Sequence, residues 1–252
     1  MFSVLDSYAP PLTIDQCIVS CKMNDLKANL HNVRSRIEVA CKNAGRKPSE
    51  VIVLAVSKRH PAGRIRALHE LGQTAFGENY VQEAVEKQAQ LVDLDLEWHF
   101  IGPLQSNKTR DVARHFDWVQ STDREKVLRR LSEQRPESLS KLNICIQVNI
   151  DREDQKSGVM PEKLEELAHF ARDLPNIELR GLMAIPQMTA ASRDPADSYG
   201  RMQDLFRSLI ASGITLDTLS IGMSADLEQA IMNGSTMVRI GTDLIGPRPA
   251  WK

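Results

Sequence analysis

Lys58 ends an almost unbroken apolar run, Val51-Ile52-Val53-Leu54-Ala55-Val56-Ser57-Lys58. A short run rich in Val, Ile and Leu, followed by a helical pattern, reads as a strand buried on both faces of a parallel sheet. The amine is then delivered at the strand's C-terminal end, where parallel α/β folds bind ligands. A lysine there is either a solvated residue closing a strand or an amine at the mouth of an apolar site. In the second case desolvation lowers its pKa and makes it a nucleophile toward carbonyls. Two other strand ends carry a different chemistry. Ser224 opens a helical segment, so its hydroxyl and the following backbone N–H groups point one way, and Gly241-Thr242 adds a further N–H and hydroxyl. Barrel enzymes often bind phosphate with the loops after strands seven and eight. Simple helix capping and a turn glycine account for the same residues.

Placed at one barrel mouth, an amine and a phosphate nest select a carbonyl-bearing phosphate ester. Pyridoxal 5′-phosphate carries both groups, an aldehyde and a phosphate. Arg239 stands two residues before Gly241, so strand alternation puts both on one face. An inward arginine meeting a pyridine nitrogen can only donate, which leaves that nitrogen unprotonated and the cofactor a weak electron sink. The alternative is an outward arginine in a salt bridge.

Other chemistries find less support. The four cysteines, Cys17, Cys21, Cys41 and Cys145, lack zinc-site spacing and read as reduced thiols of a cytoplasmic protein. No cluster of Asp, Glu and His has metal-ligand character at the strand ends. His99, alone within a strand, reads as a satisfied core residue. Gly222-Met223-Ser224-Ala225-Asp226 lacks the second glycine of a nucleophile elbow. A formal net charge of -1 argues against a dedicated nucleic-acid binder, and no apolar run reaches the length of a membrane span.

The elements that position these residues alternate regularly. Strands are predicted over 51–57, 74–77, 98–102, 118–121, 143–149, 178–185, 216–221 and 237–240. Helical patterns fill 61–72, 80–91, 109–115, a segment ending at 130 capped by Thr122 or Asp123, 161–174, 197–212, and 225–232 capped by Ser224. Eight β-α units predict an α/β fold, a single-domain TIM (β/α)8 barrel. An extra N-terminal helix over 25–44 precedes it, with Leu26, Leu30, Val33, Ile37 and Ala40 on one face and Gly45 at its end. Residues 1–22 lack arginine and match neither a secretory nor a transit segment, so they are expected to form a disordered extension before a barrel domain over 23–252. Met23 is then an alternative start.

Several motifs carry a resemblance. Leu54-Ala55-Val56-Ser57-Lys58, Phe76-Gly77-Glu78-Asn79-Tyr80-Val81-Gln82-Glu83, Trp98 through Lys108, Arg180-Gly181-Leu182-Met183-Ala184-Ile185-Pro186, and Gly222 through Glu228 with Gly234 through Thr242 closely resemble the pyridoxal-phosphate homeostasis protein family. The resemblance covers about Met23 to Arg248, in order. It implies a barrel of the alanine-racemase type carrying pyridoxal phosphate as a Schiff base on Lys58. Ser224, Gly241 and Thr242 would hold the phosphate, Arg239 would face the pyridine nitrogen, and Asn79 and Met223 would line the site. The chain departs from the family's pattern at Asp243-Leu244-Ile245-Gly246-Pro247-Arg248. Asp243 beside the phosphate loop is expected to point outward.

The resemblance implies a cytoplasmic carrier or regulator of pyridoxal phosphate, without robust turnover, serving vitamin B6 homeostasis and delivering cofactor to pyridoxal-phosphate-dependent apo-enzymes. A pyridoxal-phosphate-dependent amino-acid racemase is the alternative. Larger racemases take an acid-base tyrosine from an added C-terminal domain; here the tyrosines are Tyr8, Tyr80 and Tyr199, and little chain follows strand eight. Without that domain's contacts a monomer is expected. A cofactor-free barrel enzyme using Lys58 as an aldolase-type base is a third reading. Lys156, after strand five, is a second amine at the same mouth, or a solvated loop lysine.

Overall fold

The computed structural model describes residues 14–186 and 195–248. Eight strands close into one parallel barrel in chain order: β1 (Ile52–Val56), β2 (Ala75–Glu78), β3 (Glu97–Phe100), β4 (Trp118–Thr122), β5 (Leu142–Gln147), β6 (Ile177–Met183), β7 (Thr218–Met223) and β8 (Met237–Ile240). The seam pairs β1 with β8, Ile52 opposite Met237 and Leu54 opposite Arg239. Around it lie α1 (Ile14–Asn43), α2 (Ala62–Glu70), α3 (Val81–Gln90), α4 (Thr109–His115), α5 (Glu125–Gln134), α6 (Leu164–Arg172), α7 (Pro195–Ala211), α8 (Leu227–Met232) and α9 (Thr242–Ile245). The predicted barrel and its N-terminal helix are both present. Of the 1–22 segment, 1–13 lies outside the described residues, and α1 begins at Ile14.

Strand alternation divides the core in two. Trp98, Phe100, Val119, Leu219, Ile221, Val238 and Ile240 face outward into one large cluster with the helices. The alternating residues face the barrel axis, where Leu54, Ala75 and Met237 pack with the partly buried Ile101, and Trp118, Cys145 and Met183 form a second small cluster. His99, Gln120, Ser220 and Arg239 share that interior, all buried. The predicted face of α1, Leu26, Leu30, Val33, Ile37 and Ala40, is buried against the outer layer.

Two predicted caps do not form. Arg124, not Thr122 or Asp123, occupies the N-cap of α5, with no side-chain cap. Thr122 Oγ1 instead donates to the Cys145 carbonyl at 2.8 Å, and Asp123 accepts from Arg124 and from the Gly158 amide. Nor does Ser224 open a helix: α8 starts at Leu227 behind Asp226. The short α9 after β8 was not legible in the periodicity. Among the described residues no helix is long and apolar enough to cross a membrane.

Candidate functional site

A cavity of about 310 Å³ opens at the C-terminal mouth of the barrel, within the range of small-ligand sites. Lys58, Asn79, Met223, Ser224, Arg239, Gly241 and Thr242 all line it. The site residues singled out from the sequence are therefore brought together.

Lys58 sits in a tight turn at the end of β1. The His60 amide donates to the Ser57 carbonyl at 3.0 Å, and Arg59 is held at φ 64°, a conformation L-residues rarely adopt. What holds the turn is a buried polar cluster behind it. The Arg59 amide donates to the Glu83 carboxylate. Ser57 Oγ donates to Glu78 Oε1 at 2.6 Å, and Lys87 Nζ donates to Glu78, to Glu83 and to the Ser57 carbonyl at 2.6, 2.7 and 2.8 Å. Burial pushes the Glu78 carboxyl up, opposed by Lys87. The Lys58 amine makes no hydrogen bond or ion pair among the described residues. Burial holds its pKa below the ordinary lysine value, helped by the charges of Arg248 and Arg59 and opposed by Glu78 and Glu83. It is a desolvated amine with its nucleophilic capacity unspent.

The facing wall comes from the ends of β7 and β8. Gly222 has φ 92°, and a Cβ there would lie 2.4 Å from that of Ala230, so only glycine permits the strand to leave the barrel here. The Met223 amide donates to Asp226 Oδ1 at 2.6 Å, while the buried Tyr199 hydroxyl donates to Asp226 Oδ2. That brace moves the helix start two residues beyond where a Ser224 cap would put it, and it leaves the Ser224 hydroxyl without a protein partner among the described residues. At β8, Gly241 caps α9, and its carbonyl accepts from the amides of Leu244 and Ile245 at 3.0 and 2.8 Å. The amides of Thr242 and Asp243 precede the first intrahelical donors. Asp243 points outward, as expected, and meets Arg36 Nη1 at 3.0 Å. Arg36, on α1, also grips Glu228 with two nitrogens and donates to the Ser224 carbonyl at 2.7 Å. One arginine thus ties both loops of this wall to the N-terminal helix.

Arg239 is inward and buried, so the outward salt-bridged alternative does not hold. Nη1 donates to the Ser220 carbonyl and hydroxyl at 2.6 and 2.8 Å, and Nη2 to the Ala184 carbonyl at 2.8 Å. Of the five guanidinium N–H groups, the Nε–H and one on Nη2 are left without a protein acceptor at the cavity wall. Asn79 Oδ1 is buried without a hydrogen bond, and the chain at Asn79 is crossed so closely that a Cβ on Gly102 would lie 2.2 Å from its carbonyl oxygen. Free donors at one wall, free hydroxyls at a second, an orphaned acceptor and an unpaired amine fit a ligand with a ring nitrogen, a phosphate and an aldehyde.

The cavity also contains residues not picked out from the sequence. His60 is buried there, and Ile101, Ile185, Ala225 and Arg248 line it too, beside Val56 of β1. Burial lowers the His60 pKa, with Arg64, Lys87 and Arg248 adding to the effect, so it is neutral near pH 7. Lys156 is paired with Glu153 at 2.5 Å and donates to the Ile185 carbonyl at 3.3 Å, outside the cavity lining. Neither Tyr80 nor Tyr199 lines the cavity, and Tyr8 lies outside the described residues. Among the described residues no group of three or more His, Cys, Asp or Glu is placed to hold a metal ion.

Comparison with known proteins agrees with this geometry. The family model of the alanine racemase N-terminal domain matches residues 25–249. The pyridoxal phosphate homeostasis protein of Pseudomonas aeruginosa is 53% identical over 226 residues, 90% of this chain and 97% of that protein. Its Escherichia coli counterpart is 48% identical over 229 residues, 90% of this chain and 98% of that protein. Among solved structures, PipY of Synechococcus elongatus with pyridoxal phosphate bound is 35% identical, with a TM-score of 0.77 over 88% of this chain and all of that one. Alanine racemase of Clostridium difficile superposes with a TM-score of 0.70 at 15% identity, a likeness of fold, and this chain spans 58% of its length.

Proposed function

Because the chain belongs to the pyridoxal phosphate homeostasis protein family, we propose that it binds pyridoxal 5′-phosphate covalently through Lys58 and takes part in cytoplasmic vitamin B6 homeostasis as a carrier without robust turnover. The observation behind this is one juxtaposition. An unpaired, half-buried amine shares a cavity with two free hydroxyls and with the spare donors of a buried arginine. Ser224 and Thr242, with the first amides of α9, would hold the phosphate. Arg239 would donate to the ring nitrogen, and Asn79 and Met223 would line the ring.

Bound pyridoxal phosphate supplies an aldehyde and a conjugated ring able to accept electrons. Burial lowers the pKa of Lys58, which raises the share of its amine that is neutral at a given pH. Lys58 would hold the group through its aldehyde, its nitrogen taking the place of the carbonyl oxygen with loss of water and no change of oxidation state. Such a link would be reversible by water, which suits delivery to apo-enzymes that need the cofactor. Arg239 can donate but not accept, so the ring nitrogen stays unprotonated and electron withdrawal is weak. Among the described residues the cavity lining offers no tyrosine for a second acid-base role, which favours carriage over racemisation. A monomer is the expected working form.

The test is spectroscopic. Purified protein with pyridoxal phosphate should absorb at the violet edge of the visible range, and borohydride should fix the adduct to Lys58. Lys58→Ala should abolish both. Equal loading of that variant would overturn the covalent assignment, and robust racemisation of any amino acid in a panel would overturn the carrier reading.

A further inference from the structure

A polar chain crosses the barrel interior from the cofactor wall to the opposite end. Arg239 Nη1 donates to Ser220 Oγ at 2.8 Å, and Ser220 Oγ donates to Gln120 Oε1 at 2.7 Å. Gln120 Nε2 then meets His99 Nδ1 at 2.9 Å, and His99 Nε2 meets Glu97 Oε1 at 2.7 Å. The direction of each bond is forced. Guanidinium can only donate, so the serine hydroxyl must pass its proton side to the glutamine oxygen. The glutamine amide nitrogen can only donate, so His99 Nδ1 must accept and its proton must sit on Nε2, pointing at Glu97. The chain therefore starts at a buried cation, on which Asp226 acts by charge without a hydrogen bond, and ends at a second carboxylate. Glu97 is the first residue of β3, at the N-terminal foot of the barrel, with its side chain 44% exposed.

Everything between is buried and closely packed. His99 and Ser220 have no exposed surface, and neither has Gln120, which also donates to Met237 Sδ at 3.1 Å. The His99 ring is stacked on Trp118 with centroids 5.1 Å apart and planes within 9°, and Arg180 covers that indole at 4.9 Å. Burial keeps His99 neutral, while the His99 hydrogen bond holds the Glu97 carboxyl below its usual range. Asp117, before β4, is the other carboxylate acting on His99, and its Oδ2 is occupied by the Trp98 amide at 2.8 Å.

We propose that Glu97 anchors the hydrogen-bond chain that runs through His99, Gln120 and Ser220 to Arg239, and that these four positioning residues set the aim of the guanidinium into the cofactor cavity. An acidic side chain at the far foot of the barrel thereby controls how firmly the mouth holds the ring of its ligand. This rests on the reading of Arg239 as the residue that meets the pyridine nitrogen.

The closing experiment has two arms. In protein stripped of cofactor, the side-chain ¹⁵N resonances of His99 should show a protonated Nε2 and a bare Nδ1. In titrations of pyridoxal phosphate, Glu97→Gln keeps an acceptor for His99 but removes the charge. It should weaken binding about three- to tenfold and shift the visible band of the bound cofactor, while leaving the circular dichroism unchanged. Glu97→Asp should restore both, and Ser220→Ala should weaken binding at least as much as Glu97→Gln. A His99 proton on Nδ1, or Glu97→Gln indistinguishable from wild type in affinity and spectrum, would overturn the relay. If wild-type protein took up no pyridoxal phosphate, the cofactor reading would fall, and the His99 tautomer would still decide whether the chain runs as assigned.

Discussion

Lys87 reaches back from α3 to Glu78 at the end of β2 and forms an ion pair of 2.6 Å that almost no solvent reaches. The pair stands directly behind the turn that presents Lys58, because Lys87 also holds the Ser57 carbonyl. Burying two charges is costly, and the cost is offset only while they stay paired; Glu78 Oε1 takes the bonds from Lys87 and Ser57, while Oε2 is buried without a partner. Lys87→Met should therefore destabilise the fold by about 3–5 kcal/mol, since it strands the Glu78 carboxylate. Glu78→Gln should cost less, because Lys87 keeps Glu83 and the Ser57 carbonyl. Chemical denaturation of the two variants checks the order. A Lys87→Met variant as stable as wild type would show that the pair does not brace the turn.

Arg36 offers a second prediction. Its ion pairs with Glu228 and Asp243 are a third to a half exposed, and such pairs contribute little to stability, about 0–1 kcal/mol. Its contact with the Ser224 carbonyl acts instead on the shape of the cavity wall. Arg36→Ala should lower the affinity for pyridoxal phosphate about tenfold, one lost charge-assisted hydrogen bond, with little change in melting temperature. Asp243→Ala leaves the Glu228 and Ser224 contacts in place and should change affinity less than about twofold. Equal effects of the two substitutions would remove α1 from the construction of the site.

The barrel was legible because most strands are short, largely apolar runs closed by glycine, proline or polar residues, and because Arg239 and Gly241 obey alternation. What escaped was set by contacts between distant segments. Ser224 looks like a cap in isolation, but the Tyr199–Asp226 contact and the left-handed Gly222 move the helix start to Leu227. Gly77-Glu78-Asn79 reads along the chain as no more than the end of the second strand, yet Glu78 is fully buried because Lys87 arrives from the following helix. His60 next to Pro61 carried no signal of burial in the cavity. His99 was legible as a satisfied core residue, and nothing along the chain indicated that Gln120, Ser220 and Glu97 would satisfy it.

The phosphate wall can be separated from the amine by choice of ligand. Ser224 and Thr242 are placed to meet a phosphate, whereas pyridoxal has the same aldehyde and ring without one. Ser224→Ala and Thr242→Ala should each weaken pyridoxal phosphate binding about tenfold or more, the scale of a hydrogen bond to a charged group. Neither should change the binding of pyridoxal. Calorimetric titration of both ligands distinguishes the outcomes. If the two ligands weakened in parallel, these hydroxyls would act on the ring or the fold and not on the phosphate.

Lys58 makes the loading step depend on pH in a definite direction. Its pKa is lowered in the folded chain, chiefly by burial and then by Arg248 and Arg59. The folded protein gives up this proton at a lower pH than the unfolded chain, whose lysine titrates at about 10.4. Between the two values the unfolded state holds a proton that the folded state has lost, so unfolding free energy rises with pH across that window. Below the folded value the penalty for burying the ammonium is present in full. Lys58→Met, which cannot titrate, should lack this rise. The rate of pyridoxal phosphate uptake should climb with pH through the same lowered pKa, because only the neutral amine attacks the aldehyde. Arg248→Ala removes one of the cations that depress it, so the uptake profile should move to higher pH. Stopped-flow uptake across a pH series follows the step directly, and a wild-type profile centred on the value of an exposed lysine would show that the cavity does not activate this amine.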